Sequence, residues 1–387
     1  MDCIENLKNF AVENKCTLLG IGPMSKNCVD VVIEIANEYD VPLMLIASRR
    51  QIESKELGSG YVNNWSTEEF AKYVKENDKK SNVILCRDHG GPYQDNGYSL
   101  SNLSLEDAME NAKKSFRKDI ESGFKIIHID PSANLTSTNH IDEMLNRIFE
   151  LYDFCYSVSK ETNNEIFVEV SIGKEDGGIH DPHEVEFAIS KLKEFCKEKD
   201  FPLPLFFVVK TGNHVMETSN VGIFENIVQK NLTDFELKFK KIIDYCNKNK
   251  ILIKVHNGDY LSDDSLQFHP SIGFHAINIA PEFGVTETKA ILDLLQKNNL
   301  EKIANNFFQI AYNSNKWEKW MLNNSLKSKI DKAIIAGHYV FSDRNFLHLK
   351  DEIVQKLSDK DDFDSYLKSK IKLAILRYCY CLKIINN

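Results

Sequence analysis

Short apolar runs recur along the chain, each ending in glycine or polar residues. The eight runs are "CTLLGIGP" (16–23), "PLMLIAS" (42–48), "NVILCRDHG" (82–90), "KIIHIDPS" (125–132), "EIFVEVSIG" (165–173), "LFFVVKTGN" (205–213), "ILIKVHNGD" (251–259) and "AINIAPEFG" (276–284). Nearly continuous apolar character over so few residues is what parallel strands covered on both faces require. Charged segments with helical spacing separate most of them. In "SKNCVDVVIEIANEY", Val29, Val32, Ile33 and Ala36 fall on one helical face. "SLEDAMENAKKSFRKDIESG" opens with Ser104 three residues before Asp107, a capping signal, and stops at Gly123. Eight strands alternating with helices predict an α/β fold, a (β/α)8 TIM barrel, over residues 1–288. A doubly wound sheet would use fewer strands and a glycine fingerprint after the first. "GIGPMS" (20–25) lacks its third glycine.

From residue 289 to 387 the strand runs stop, and the chain turns Lys/Asn-rich and aromatic. Trp317, Trp320, Tyr339, Phe341, Tyr378 and Tyr380 predict an appended helical region packed on the barrel or on another subunit. No Gly/Pro/Ser linker sets it apart.

Composition narrows the function classes. The 387 residues are 42% hydrophobic, ample for a large core, and the net charge of −9 argues against a nucleic-acid binder. No 18-residue apolar run predicts a membrane span, and the N-terminus has no secretory stretch. Nine scattered cysteines without a CxxC predict reduced thiols in a cytoplasmic protein.

In such a barrel the C-terminal strand ends surround one pocket. They supply Ser48, Asp88-His89, Asp130 and Ser132, Glu169, Asn213-His214, His256-Asn257-Gly258-Asp259 and Asn278. Imidazole suits Zn²⁺, and three protein ligands leave an open catalytic position. His89, His214 and His256, at the ends of the third, sixth and seventh runs, are candidate metal ligands. The bland alternative is three hydrogen-bonded structural histidines. His128 shares a strand face with Asp130 and is expected deeper, as a structural residue. Asp88 could exchange a hydroxyl proton with a substrate beside the metal; otherwise it caps the next helix. Glu169 could hold a second cation or orient a ligand. Glu175 and Asp176, in a glycine-containing loop, could enter the pocket on closure.

The order "DHG", "HIDPS", "VEVSIGKEDGG", "TGNH", "VHNGD" and "AINIA" resembles the class II, metal-dependent fructose- and tagatose-bisphosphate aldolases. That family is a (β/α)8 barrel with a divalent metal, usually zinc. Its Asp-His after strand three is matched by Asp88-His89, and its Asn on strand eight by Asn278. Its Gly-Asn-x-His is matched, one residue short, by Gly212-Asn213-His214. Its His-Gly-Gly-Ser is matched imperfectly by His256-Asn257-Gly258-Asp259. The resemblance implies His89, His214 and His256 as ligands of Zn²⁺, with Mn²⁺ or Co²⁺ as alternatives. It implies Asp88 as proton carrier, and Asp130 and Glu169 near a second cation. "SRRQIESKELGSGYVNNWSTEEF", "HNGDYL" and "LAILRYCYCL" further resemble the second-subunit branch of tagatose-bisphosphate aldolase, whose relatives include ketose 4-epimerases.

One departure bears on the substrate. Those aldolases grip the C1 phosphate with backbone groups, a Ser in His-Gly-Gly-Ser and a nearby Lys. Here Asp259 and Thr218 stand at the Ser and Lys positions. A carboxylate 4 Å from a phosphate charge is repelled by roughly 4 kcal/mol at an effective dielectric near 20. Any phosphate is therefore expected at the far end of the ketose, with Arg49, Arg50, Lys55, Arg87 and Lys210 as possible partners. Ser48, Arg49, Asp130, Ser132, Asn213, Asn257, Gly258, Asp259 and Asn278 are the expected substrate-binding residues. The expected reaction is metal-dependent retro-aldol/aldol chemistry at C3–C4 of a sugar or sugar phosphate, foremost a fructose/tagatose 6-phosphate 4-epimerase. The alternatives are a ketose-bisphosphate aldolase, and a non-catalytic subunit that partners a separate aldolase chain. A homo-oligomer is a further possibility. No P-loop supports a kinase.

Overall fold

The computed structural model describes residues 3–95, 103–135, 140–173, 176–357 and 362–385. Its strands are β1 (Leu18–Ile21), β2 (Leu43–Ser48), β3 (Val83–Gly90), β4 (Ile126–Ile129), β5 (Phe167–Ser171), β6 (Phe206–Val208), β7 (Val215–Met216), β8 (Ser219–Asn220), β9 (Leu252–Val255) and β10 (Ala276–Ile279). Strands β1-β10-β9-β6-β5-β4-β3-β2 close into a parallel barrel, whereas β7 and β8 form a separate antiparallel ribbon. Each apolar run read from the sequence contains one barrel strand. The fold is a (β/α)8 TIM barrel.

Local chemistry explains the connections. The helix Lys26–Tyr39 buries Val29, Val32, Ile33 and Ala36 on the face its spacing predicts. Ser104 caps the helix Leu105–Ser122 by accepting the Asp107 N–H, and Gly123 ends it with φ 93°. A left-handed residue costs glycine little, so it terminates a helix cleanly. All eight described cysteine thiols that are assigned a state are free and buried. No described helix is long and apolar enough to cross a membrane.

The expected boundary at 288/289 falls inside the helix Pro281–Lys297, so the chain runs from barrel into extension without a break. Beyond it, Ile303, Phe307, Phe346, Ile353 and Leu367 join Leu294 and Leu295 in a second apolar cluster. The last helix, Asp362–Cys381, returns to the barrel: Ile371, Ile375, Tyr378 and Cys379 belong to the main core. Just past it, Leu382 O accepts the N–H of Thr17 at 3.0 Å, at the entry to β1.

Candidate metal centre

The third strand answers how two consecutive residues can both serve one site. The β3–β4 register shifts between Arg87 and Gly90, and His89 adopts φ 43°. Such an irregularity re-aims side chains that strict alternation would send to opposite faces. It also frees the His89 N–H from the ladder, and that N–H donates to His128 Nδ1 at 3.1 Å. Gly91 is required here for another reason. Its φ is 148°, and a Cβ would lie 2.2 Å from the Asp130 carbonyl oxygen. The glycines after His89 thus make room for the neighbouring strand and, at Gly90, for the Phe116 ring.

Three imidazoles converge. The ring centroids of His89–His128, His89–His256 and His128–His256 lie 5.3, 5.1 and 5.1 Å apart. One ligand atom from each of the three lies within 4.8 Å of the other two, and the same holds for Asp88, His128, Glu169 and His256. His89 Nδ1 meets Asp130 Oδ2 at 2.7 Å, while its Nε2 lies 3.9 Å from Asp88 Oδ2. Asp130 also takes the Gln94 amide at 2.9 Å and the Ser132 N–H at 3.0 Å. His256 Nε2 lies 3.0 Å from Glu169 Oε1. The other Glu169 oxygen accepts Lys254 Nζ at 2.6 Å. Asn278 Nδ2 donates to Asp88 Oδ1 at 3.1 Å. His128 is completed by Ser171 Oγ, 3.0 Å from its Nε2.

The charges are mutually adjusted. Burial opposes ionisation of Asp88, but His89, His128 and His256 overcome it and hold the carboxyl well below the usual range. Burial likewise opposes the charge on Glu169, and Lys254 with the two deeper histidines brings it down to about 2. For His89, burial is outweighed by Asp88 and Asp130, which raise the imidazole to about 9.

His214 stays apart. Among the described residues it joins neither ligand group. Five residues separate it from the end of β6. There its N–H donates to Asn220 Oδ1 at 3.1 Å, which ties it to the β7–β8 ribbon. The third imidazole is His128, whose inward face was legible but whose part in the cluster was not. Lys254 was also missed. A lysine two residues before His256 in an otherwise apolar strand was its signal.

A cavity of about 290 Å³ opens over the cluster. Ser48, Asp88, His89, His256, Asn257, Asp259 and Asn278 line it from the barrel, and Lys319, Trp320 and Tyr339 from the extension. Other expected substrate contacts are used elsewhere. Arg49 is buried, paired with Glu53 Oε2 at 2.6 Å and donating to the Gly91 carbonyl at 3.0 Å. Ser132, Asn213 and Gly258 do not line the cavity; Asn213 donates to Thr211 Oγ1 and Gly258 N–H to Asn278 O. Arg87 is buried against Asp119, Lys210 meets Asp176 at 3.3 Å, and Lys55 is exposed. Glu175 lies outside the described residues. Asp259 borders the cavity, yet its Oδ1 accepts the N–H groups of Ala280 and Glu282 at 3.0 and 2.9 Å. It caps the helix Pro281–Lys297.

No family model and no curated protein matches the chain. Solved structures do. The chain resembles a probable tagatose 6 phosphate kinase from Sinorhizobium meliloti 1021, with 13% identity and a TM-score of 0.74 over 94% of this chain and 99% of that one. It also resembles fructose-bisphosphate aldolase from Campylobacter jejuni, with 14% identity and a TM-score of 0.55 over 99% and 95%. At these identities the likeness is one of fold.

Proposed function

We propose that the barrel mouth holds a divalent cation, zinc foremost with manganese or cobalt as alternatives, and acts at the C3–C4 bond of an open-chain ketose or ketose 6-phosphate. The carrying observation is the convergence of His89, His128 and His256 beside Asp88 and Glu169. Three imidazole nitrogens bordered by carboxylates fit the donor preferences of zinc. The proposed ligands are the three histidines, with Glu169 as a neighbouring carboxylate; His128 would give the cation its Nδ1 lone pair in place of the His89 N–H it accepts here, while its Nε2 stays on Ser171 Oγ. When bound, the cation supplies Lewis-acid polarisation of the ketose carbonyl.

The chain's own residues divide the remaining work. Asp130 holds the Nδ1 side of His89 and so turns Nε2 toward the cavity, the usual task of a carboxylate behind a ligating histidine. Lys254 neutralises the outer oxygen of Glu169, which keeps that buried carboxylate charged. Asn278 steadies Asp88 Oδ1, leaving Oδ2 to take the C4 hydroxyl proton as C3–C4 breaks, its electron pair passing to the C2 carbonyl to leave a C4 aldehyde and a C1–C3 enediolate. Trp320 and Tyr339 wall the cavity and limit water around the enediolate. If the aldehyde turns its other face and re-adds, Asp88 returns the proton and the C4 epimer forms. If the aldehyde leaves, the outcome is aldol cleavage.

Epimerisation is favoured over bisphosphate cleavage by Asp259. Its carboxyl group occupies the helix-terminal N–H donors that would otherwise welcome a C1 phosphate. The test is metal analysis of the purified chain, followed by an NMR screen of ketoses and ketose phosphates scored for cleavage and epimer. About one metal per chain and a C4 epimer are expected. No bound metal, and no conversion after adding Zn²⁺, Mn²⁺ or Co²⁺, overturns the proposal.

A further inference from the structure

The cavity has a second, cationic side that the metal cluster does not use. Arg50 and Lys319 are the only arginine and lysine lining it among the described residues. Neither forms an ion pair with a carboxylate among those residues. Arg50 follows β2 and is anchored through Nε, which donates to the Asp95 carbonyl at 3.1 Å. Its two Nη nitrogens are therefore available to form a fork. Lys319 comes from the extension. Its ammonium sits 4.8 Å from the Trp320 ring centroid and 5.2 Å from that of Tyr339. Aromatic faces hold a cation in place without neutralising it. Trp320 Nε1 donates to Tyr339 Oη at 3.1 Å, and Tyr61 packs on Tyr339 at 4.8 Å between centroids, so the aromatic frame is itself braced.

Two cations held together without an anion repel each other. Although Lys319 reaches solvent, crowding by its surroundings and then Arg50 and Lys316 hold its ammonium below the usual range. An anion placed between Arg50 and Lys319 relieves that repulsion and gains charge-assisted hydrogen bonds. On the barrel side, Asp259 already occupies the helix N–H donors.

We infer that Arg50 and Lys319 form a subsite for the terminal oxyanion of an open-chain ketose, the end remote from the carbonyl, and that the C-terminal extension thereby sets substrate choice. This rests on the ketose reading above. A phosphate ester and a C6 carboxylate share the required chemistry.

The test compares wild type, R50Q and K319M as full-length chains. Substrates are fructose, fructose 6-phosphate and a 2-ketose carrying a C6 carboxylate. Calorimetry with inorganic phosphate is run alongside, because it does not depend on turnover. Each substitution is expected to raise KM for the anionic ketose at least about tenfold, a loss of roughly 1.4 kcal/mol. The values of kcat, and KM for fructose, should change little, and phosphate affinity should fall in parallel. Whichever anionic ketose shows the effect identifies the terminal group. KM rising equally for charged and neutral ketoses, or unchanged phosphate affinity in both variants, overturns the subsite. If wild type converts no ketose yet binds phosphate in an Arg50- and Lys319-dependent way, the reaction fails and the subsite stands.

Discussion

Asp130 Oδ2 lies 2.7 Å from His89 Nδ1, and this contact fixes which nitrogen of His89 faces the cavity. With Asp88 it also raises the imidazole to about 9, against the opposing effect of burial. In metal-free protein the stability gained from protonated His89 is therefore complete below about pH 6.5 and lost as pH rises through about 9. Asp130→Asn should lower the His89 pKa in an NMR titration. It should also weaken zinc binding by about 10- to 100-fold at pH 9, where only about half of wild-type His89 still holds its competing proton. Unchanged zinc affinity at that pH contradicts the orienting role.

His128 and His214 separate the structural arrangement from the one the family resemblance implies. His214→Ala should retain stoichiometric zinc, because that ring joins no ligand group among the described residues. His128→Ala and His89→Ala should each lose it while keeping the circular dichroism of the barrel. Zinc lost from His214→Ala and kept by His128→Ala would restore the His89–His214–His256 set.

Lys254 and Glu169 are both buried, 2.6 Å apart. Removing one partner of a buried pair strands the other charge and costs about 3–5 kcal/mol. Lys254→Met should show that loss in chemical denaturation, and the K254M/E169Q double variant should recover much of it. Equal stability of single and double variants contradicts a coupled pair.

The barrel was legible because eight apolar runs, broken by capped helices, leave few alternatives. Asp88, His89, Glu169, His256 and Asn278 were legible because barrel closure gathers strand ends, whatever their separation in the chain. Three features were not. His128 is buried and hydrogen-bonded, as expected, but its place beside His89 and His256 was hidden, since alternation gives its face and not the shift in β3 that brings His89 to it. His214 follows the strand-six run, but its N–H bonds Asn220 of the β7–β8 ribbon and it joins neither ligand group among the described residues; no short-range signal marks so small a pairing. Lys319, Trp320 and Tyr339 lie far along a segment without motifs. Only tertiary packing returns them to the barrel mouth.

Asp259 is raised to about 8 by burial and by the neighbouring Glu282. A carboxyl raised above its ordinary value of 3.8 binds its proton more tightly in the folded chain. Its stabilising effect is complete at low pH and is lost as pH rises from about 4 to about 8. Asp259→Asn keeps an oxygen for the N–H groups of Ala280 and Glu282 and has no charge to acquire. Its melting temperature relative to wild type should therefore climb by a few degrees between pH 4 and 8 and level off above. A difference independent of pH contradicts this account.

The central claim is that the C3–C4 bond of a ketose breaks and re-forms beside Asp88. It is tested most directly by incubating the zinc-loaded chain with fructose 6-phosphate in D₂O and reading the C4 position of the product by NMR. Retro-aldol epimerisation cleaves a carbon–carbon bond and never the C4–H bond, so the C4 epimer should carry protium at C4. Deuterium at C4, or no conversion of any ketose tested with Zn²⁺, Mn²⁺ or Co²⁺, contradicts it.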